Sequence, residues 1–198
     1  MYPSGLQQLI DSFKYLPGIG EKTAERLAFA VLDMDEDRVE LFSNSLHNVK
    51  TTIHRCSICN GLTDLDICPI CSDKSRNSDI LCVVEDPKSV FLFEKLGLFK
   101  GKYHVLKGLI SPLDGINPDD IELEKLVDRV KKESYREIIL AFKPCIEGET
   151  TSLYIKRILG DMNLSITKIA SGIPMGADIE YIDAMTLERA LMDRKDVE

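Results

Sequence analysis

The chain has 198 residues, of which 44% are hydrophobic and 29% charged, and a net charge of −8. This length allows one globular core with one or two small modules, and the acidic balance argues against a protein coated in basic surface, although a local basic patch could still bind nucleic acid. No apolar stretch reaches the ~20 residues of a membrane helix, and the N-terminal residues lack the pattern of a secretory signal, so we expect a cytoplasmic protein without membrane contact.

Residues 1–54 are predicted to be helical. Apolar residues recur at helical spacing in three stretches, interrupted first by LPGIG and then by the acidic MDEDR. The members of these stretches are Leu6, Leu9, Ile10, Phe13 and Leu16; Ala24, Leu27, Ala28 and Val31; and Val39, Phe42, Leu46, Val49 and Ile53.

The first interruption, in LPGIGEKTAERLAF, is typical of a helix-hairpin-helix. Gly18 and Gly20 would allow a tight turn, and the amide groups that begin the second helix could then face a DNA phosphate. Lys22 and Arg26 are four residues apart on one helix face and would add phosphate contacts that do not depend on base sequence. A nucleotide P-loop is excluded because glycine does not directly precede Lys22 and the element before the turn is predicted to be a helix rather than a strand. An ordinary turn between two helices, without a ligand, remains an alternative.

A cysteine cluster follows, CSICNGLTDLDICPIC, in which Cys56 and Cys59 form one pair and Cys68 and Cys71 another. Two such pairs with two-residue spacers are typical of a tetrahedral zinc site. The alternative of two disulfides is disfavoured in a reducing cytoplasm. Four thiolates leave no coordination position for water, so we predict one structural zinc ion per chain rather than a catalytic one.

From Ile80 onward, short apolar runs alternate with amphipathic helical stretches. This alternation predicts an α/β fold with a mostly parallel sheet, followed by an amphipathic helix over 183–193. The lysines of residues 95–107 and the acids of residues 114–124 could be solvated surface or could face a partner.

The order of these motifs resembles the RecR family of bacterial recombination mediators. The resemblance covers nearly the whole chain and also includes VVEDP, YHVLKGLISPLDGINPDDI, EGETT and SGIPMGADIEYIDAMTL. It implies a helix-hairpin-helix module (1–54), a C4 zinc finger (55–76), a Toprim domain (78–174) and a C-terminal oligomerisation segment (175–198). It further implies a non-enzymatic clamp, assembled as a dimer or tetramer ring. The clamp would bind gapped DNA without sequence preference and act with RecO and RecF to promote loading of RecA.

Toprim enzymes hold magnesium with a glutamate and an Asp-x-Asp pair, and the resemblance places these positions at Glu85, Lys143 and Cys145. A lysine repels a divalent cation and a thiol suits Mg²⁺ poorly, so we expect no catalysis here; the alternative is a magnesium-dependent Toprim nuclease or primase. Glu85 and Glu147 are the predicted contacts with RecO, although Glu147 and Glu149 could instead stabilise the start of the next helix. At the hairpin, Glu21 replaces a proline that is frequent in the family.

Overall fold

The computed structural model describes residues 1–97 and 99–194 and divides the chain into two units, residues 1–53 and the residues from His54 onward. The helices are α1 (Ser4–Lys14), α2 (Glu21–Leu32), α3 (Glu36–Thr52), α4 (Pro69–Ser72), α5 (Pro87–Leu96), α6 (Leu123–Lys132), α7 (Ile146–Leu159) and α8 (Ala184–Met192). The strands are β1 (His54–Arg55), β2 (Leu62–Thr63), β3 (Ile80–Val84), β4 (Lys102–Val105), β5 (Glu137–Ala141) and β6 (Ser165–Lys168), and a 3-10 helix covers Ile179–Tyr181.

The first unit consists of α1 to α3, as the periodicity predicts. Its small core forms where α1 meets α2, and Ile10, Ala24 and Ala28 have no solvent exposure. The two alanines allow the helices to approach closely around the larger Ile10 side chain. In α3, by contrast, no residue is buried, and the apolar side chains of Phe42 and Leu46 are exposed to solvent.

The second unit contains a four-stranded sheet with the order β4-β3-β5-β6, in which all neighbouring pairs are parallel. The apolar run of β3 is covered on both sheet faces, as is usual for a central parallel strand. On one face, Leu81 and Val83 pack in the main core together with residues of α6 and α7. On the other face, Cys82 and Val84 pack in a smaller cluster together with residues of α5. The predicted α/β fold is confirmed.

The sheet positions two features that matter for function. Because β3 and β5 are adjacent and parallel, with Val84 beside Ala141, the loops that follow them emerge at the same edge. Because β4 is an edge strand, its outer side needs a partner for its backbone groups. A small module of β1, β2 and α4 precedes the sheet, and its antiparallel β1–β2 hairpin was not predicted from the sequence.

After β6 the chain carries the 3-10 helix and α8, which is the predicted C-terminal helix. Asp183 caps α8 by accepting a hydrogen bond from the backbone amide of Thr186 at 2.9 Å. Residues 195–198 of the predicted C-terminal segment lie outside the described residues. Over residues 1–97 and 99–194, no helix combines the length and apolar character that crossing a bilayer would require.

Candidate metal centre and nucleic-acid interface

The structure brings the four predicted cysteine ligands together. The Sγ atoms of Cys56, Cys59, Cys68 and Cys71 all lie within 4.8 Å of one another, and those of Cys59 and Cys68 are 3.6 Å apart. Four sulfurs placed tetrahedrally ~2.3 Å from one zinc ion would be ~3.8 Å apart. All six cysteines of the chain lie among the described residues and are free thiols, so the disulfide alternative does not hold.

Backbone amides orient the cysteine sulfurs. The amide of Gly61 donates to Cys59 Sγ at 3.4 Å, and the amide of Cys68 donates to Cys56 Sγ at 3.3 Å. A third amide, that of Cys71, donates to Cys68 Sγ at 3.4 Å at the start of α4. These amides favour thiolates, because a hydrogen bond to a charged group stabilises the charged form.

The close approach of the four thiols couples their protonation. The neighbouring Cys68 raises the pKa of Cys59 to about 12, whereas hydrogen bonds from Cys59 and Cys71 lower the pKa of Cys68 to about 2. One thiolate is therefore stabilised at the expense of its neighbours, since buried like charges repel one another. A bound Zn²⁺ would allow all four thiols to ionise. Donor type, spacing and burial all fit a structural zinc ion with no position left for a reacting water.

The zinc module, which consists of β1, β2 and α4 with the four cysteines, is joined to the edge of the sheet by one backbone and one side-chain hydrogen bond. The amide of Val105 donates to the carbonyl of Cys59 at 2.8 Å, and Asn60 Nδ2 donates to the carbonyl of Val105 at 3.0 Å. Asn60 adopts a positive φ of 61°, a conformation that asparagine tolerates better than most residues. Cys59 and Asn60 thus cover the end of β4 that an edge strand would otherwise expose.

Lys102 makes a second connection between β4 and the zinc module. Its buried ammonium donates to the carbonyls of Ile70, Cys71 and Asp73 at 2.9, 3.1 and 2.7 Å. These contacts satisfy all three of its donors at the C-terminal end of the short α4, where carbonyls favour a positive charge. The run of lysines over residues 95–107 predicts solvated or partner-facing surface, so this role of Lys102 was not predicted. The signal available was its position in the short apolar strand around Tyr103 and Val105.

His104 is a second residue whose setting the sequence did not reveal. Its side chain is buried in β4, and within the described part of the chain its Nδ1 atom has no hydrogen-bond partner. Burial lowers its pKa to about 3, and the positive charge of Arg129 acts in the same direction. His104 is therefore neutral in the folded protein at ordinary pH.

The predicted hairpin forms the turn between α1 and α2. Gly18 has a φ of +82°, a left-handed conformation that glycine adopts without strain, and Gly20 is the N-cap of α2. Because Gly20 has no side chain, no cap from that residue obstructs the first amides of α2, which carry the positive end of the helix dipole. Lys22 and Arg26 are exposed on α2, and neither forms an ion pair within the described residues.

Glu21, the residue that departs from the family pattern, does not stand alone. Lys14 at the end of α1 contacts Glu21 at 2.9 Å and Asp11 at 2.7 Å. Hydrogen bonds to these carboxylates, first of all Asp11, raise the pKa of Lys14. The acidic side chain beside the turn is therefore partly neutralised by a neighbouring cation, which reduces the repulsion of a phosphate.

The Toprim positions lie at the carboxyl ends of β3 and β5, as expected for neighbouring parallel strands. Glu85 accepts a hydrogen bond from the backbone amide of Lys143 at 2.8 Å, so its carboxylate joins the two loops. The Lys143 side chain is exposed, and Cys145 is the N-cap of α7. Gly148 lies so close to the Lys143 carbonyl that a Cβ atom would be 2.2 Å from its oxygen. The start of α7 therefore packs tightly against the loop.

The two glutamates in the first turn of α7 have different surroundings. Hydrogen bonding to its own backbone amide, then to Cys145, lowers the pKa of Glu147, while the nearby Asp114 opposes that shift. Glu149 instead contacts Lys168 of β6 at 2.8 Å and Arg189 of α8 at 3.7 Å. Among the described residues, the four cysteines are the one group of three or more Cys, His, Asp or Glu side chains whose ligand atoms converge as for a metal.

Fold and sites together define a protein built from a helix-hairpin-helix module, a four-cysteine zinc finger and a Toprim domain. Family models described as the RecR helix-hairpin-helix, the RecR four-cysteine zinc finger domain, the Toprim domain and the RecR C-terminal region match residues 6–50, 53–73, 79–170 and 172–195.

The recombination protein RecR of Natranaerobius thermophilus is 46% identical over 196 residues, which are 99% of this chain and 98% of the relative. The recombination proteins RecR of Staphylococcus saprophyticus and Staphylococcus haemolyticus are each 48% identical over 196 residues, 99% of both chains. The chain belongs to the RecR family of recombination proteins.

Proposed function

We propose that this protein is a non-enzymatic DNA-binding mediator of recombinational repair. It would hold gapped DNA and act with RecO and RecF to promote loading of RecA, as its resemblance to the family implies. The observation that supports DNA binding most directly is the exposed turn at the start of α2, where Lys22 and Arg26 have no ion-pair partner among the described residues.

DNA would bind through its phosphates. The amides that follow Gly20 offer donors and a positive dipole end, while Lys22 and Arg26 add two charges on the same helix face. Contacts of this kind fix the position of a duplex or a junction but read no bases. Binding would therefore be independent of sequence and strongly dependent on salt.

The protein would act as a homo-oligomer, either a dimer or a tetramer ring. The apolar stripe of α3 supports this, because Phe42, Leu46 and Val49 are exposed on a helix that has no buried residue. An amphipathic helix of this kind gains stability only when its apolar face is covered. The C-terminal segment of residues 175–198 would contribute a second contact between copies, and its helix α8 also exposes Leu191 and Met192.

RecO would meet the Toprim surface at Glu85 and Glu147. Both side chains are partly exposed, and both lie at the loop edge where β3 and β5 end. An acidic rim here would complement a basic surface on the partner. The alternative is that Glu147 only stabilises the first turn of α7 through the helix dipole.

A pull-down of RecO separates these two roles of Glu147. If the residue contacts RecO, Glu147→Lys will reduce the amount of RecO retained by at least about fivefold, which corresponds to the loss of about 1 kcal/mol. Glu124→Lys is a matched control, because Glu124 is likewise a glutamate in the first turn of a helix, α6, and its side chain is exposed. Equal retention by the two variants would assign Glu147 to helix stability instead.

Nuclease or primase activity is the rival function, and the two Toprim positions argue against it. Lys143 brings a positive charge to a place where a magnesium site would need a carboxylate, and Cys145 offers a soft donor. Glu85 has one carboxylate oxygen engaged by the Lys143 amide.

A native gel followed by a denaturing gel of end-labelled gapped DNA, with Mg²⁺ and then with Mn²⁺, tests the proposed function. We expect the protein to retard the gapped DNA in the native gel, and the denaturing gel to show that the labelled strand is uncut. Fragments that form only with metal and disappear in Glu85→Ala would identify an enzyme instead.

A further inference from the structure

Helix α5 is apolar on two sides. Its inner side contributes Val90 and Phe93 to the cluster on the sheet. Its outer side carries five residues at helical spacing that we name the α5 stripe: Lys88, Phe91, Leu92, Lys95 and Leu96. Phe91 is 55% exposed, and Leu92 and Leu96 are each 58% exposed. A helix that is apolar on both sides normally packs against protein on both sides. Here the outer side of α5 is exposed to solvent.

The α5 stripe contains two lysines and no acidic residue, so its own charge is positive. Glu94 points to the inner side, where it binds Arg76 through both oxygens at 2.7 and 2.8 Å. Asp86 caps the helix by accepting from the Lys88 amide at 2.8 Å. The Lys88 ammonium is 3.8 Å from Asp86 and 90% exposed, and Lys95 has no ion-pair partner among the described residues.

We propose that the α5 stripe is a docking surface for an acidic amphipathic helix of another protein. The stripe has three apolar side chains, with one lysine a turn before them and a second lysine between them. This pattern matches a partner helix with apolar residues at i, i+3 and i+4 and with carboxylates at the margins of its apolar face. The chain itself has a net charge of −8, so a cationic apolar stripe is a local exception that would select acidic partners. This surface is separate from the hairpin and does not depend on its role.

Two other occupants fit the stripe less well. If two copies paired through the same stripe about a two-fold axis, Lys88 of each would approach Lys95 of the other, and these like charges would repel. DNA would gain from the two lysines and from Phe91, on which one base could stack, but Leu92 and Leu96 offer no aromatic face for a second base. Packing DNA phosphates against these leucines would bury the phosphate charge without hydrogen-bond or ion-pair partners.

The experiment uses the full chain and a synthetic, fluorescein-labelled helix of about four turns. The peptide has leucines along one face and glutamates on both margins, and a matched peptide has lysines in place of the glutamates. Fluorescence anisotropy measures the affinity of each. We expect the acidic peptide to bind and the basic peptide to bind at least about tenfold more weakly.

Two double variants test the surface itself. Lys88→Glu with Lys95→Glu, and separately Phe91→Ser with Leu92→Ser, should each weaken the acidic peptide at least about tenfold, since a few central residues carry most of such an interface. Lys131→Glu with Lys132→Glu is the control, because α6 packs on the opposite face of the sheet and these lysines are exposed. Its affinity for the peptide should be unchanged.

Three results would overturn the proposal. The first is failure of the acidic peptide to bind, or equal binding to wild type and to the two α5 variants. The second is a lower oligomer mass of the variants in light scattering, which would assign the stripe to a contact between copies. The third is loss of gapped-DNA retention in the variants while peptide binding persists, which would assign it to DNA.

Discussion

The zinc module and the helical hairpin use polar groups in opposite ways. In the zinc module and at its junction with β4, the side chains of Cys59, Asn60 and Lys102 are buried, and their polar atoms contact other parts of the same chain. At the hairpin, Lys22 and Arg26 are exposed and have no ion-pair partner among the described residues. The first arrangement stabilises the fold, whereas the second leaves donors and charge available to a ligand.

This difference indicates whether a substitution will change stability or binding. Changes in the zinc module should alter the free energy of unfolding, because buried donors and ligands would be left without partners. Changes at Lys22 and Arg26 should alter binding and leave stability nearly unchanged, because exposed side chains contribute little to folding. The predictions below test this division, beginning with the largest expected effect on stability.

Removal of one zinc ligand should have the largest effect. Cys68→Ser should abolish zinc binding and cost about 5 kcal/mol or more, a fraction of the about 10–16 kcal/mol that zinc supplies to isolated finger peptides. At about 2–4 °C per kcal/mol, the melting temperature should fall by at least about 10 °C. Zinc content by atomic absorption and thermal melting measure both effects.

Cys145→Ser is the matched control, because Cys145 lies outside the cluster. It should retain zinc and the parental melting temperature. Unchanged melting of Cys68→Ser would show that the metal does not stabilise the fold.

Removal of the Lys102 ammonium should have the next largest effect. Lys102→Met keeps much of the side-chain volume but leaves the carbonyls of Ile70, Cys71 and Asp73 without their donor. We expect a loss of about 2–3 kcal/mol in urea unfolding and faster zinc release to a colorimetric chelator.

The neighbouring Lys100→Met removes an exposed ammonium and should leave both quantities unchanged. If the two variants behaved alike, the buried contacts of Lys102 would have no part in holding the zinc module.

His104 predicts a pH dependence of stability. Its folded pKa is about 3, below the ordinary value of 6.5, because burial disfavours the charged imidazole. Below pH 6.5 the unfolded chain therefore binds a proton that the folded chain does not, so stability is lost as the pH falls from 6.5 towards 3. Between pH 7 and pH 5.5, wild type should lose about 1 kcal/mol more than His104→Leu, in which the titrating group is absent.

Urea unfolding at the two pH values gives this difference, and the comparison cancels the carboxylates and the zinc ligands that both proteins share. Equal losses in wild type and variant would mean that His104 titrates normally in the folded state.

Whether a feature could be predicted from the sequence depends on how far apart along the chain the residues that determine it lie. The four zinc ligands lie within sixteen residues at a diagnostic spacing, so they could be identified directly. The alternation of strands and helices likewise predicts the α/β class. These features depend on local pattern, which one sequence contains.

Contacts between distant segments could not be predicted in this way. The attachment of the zinc module to β4 depends on which strand forms the edge of the sheet, and Lys102 reaches a carbonyl of Ile70 thirty-two positions earlier. The periodicity of α3 predicts a helix with an apolar face, but it does not say whether the same chain or another covers Phe42 and Leu46. The tethering of Glu21 by Lys14 also depends on the angle of the turn.

The most direct test of the division between the two regions is the affinity for gapped DNA as a function of salt, measured for wild type and for Lys22→Ala with Arg26→Ala. The control is Arg38→Ala with Lys50→Ala, which removes the same charge from exposed positions of α3. The free energy of unfolding of the hairpin variant should lie within about 0.5 kcal/mol of the wild-type value. Its plot of log affinity against log salt should be shallower by about 1.4–1.8 for each chain on the DNA, while the control keeps the wild-type slope. If the hairpin variant bound DNA with the affinity and slope of wild type, the hairpin would not be the DNA-contacting surface.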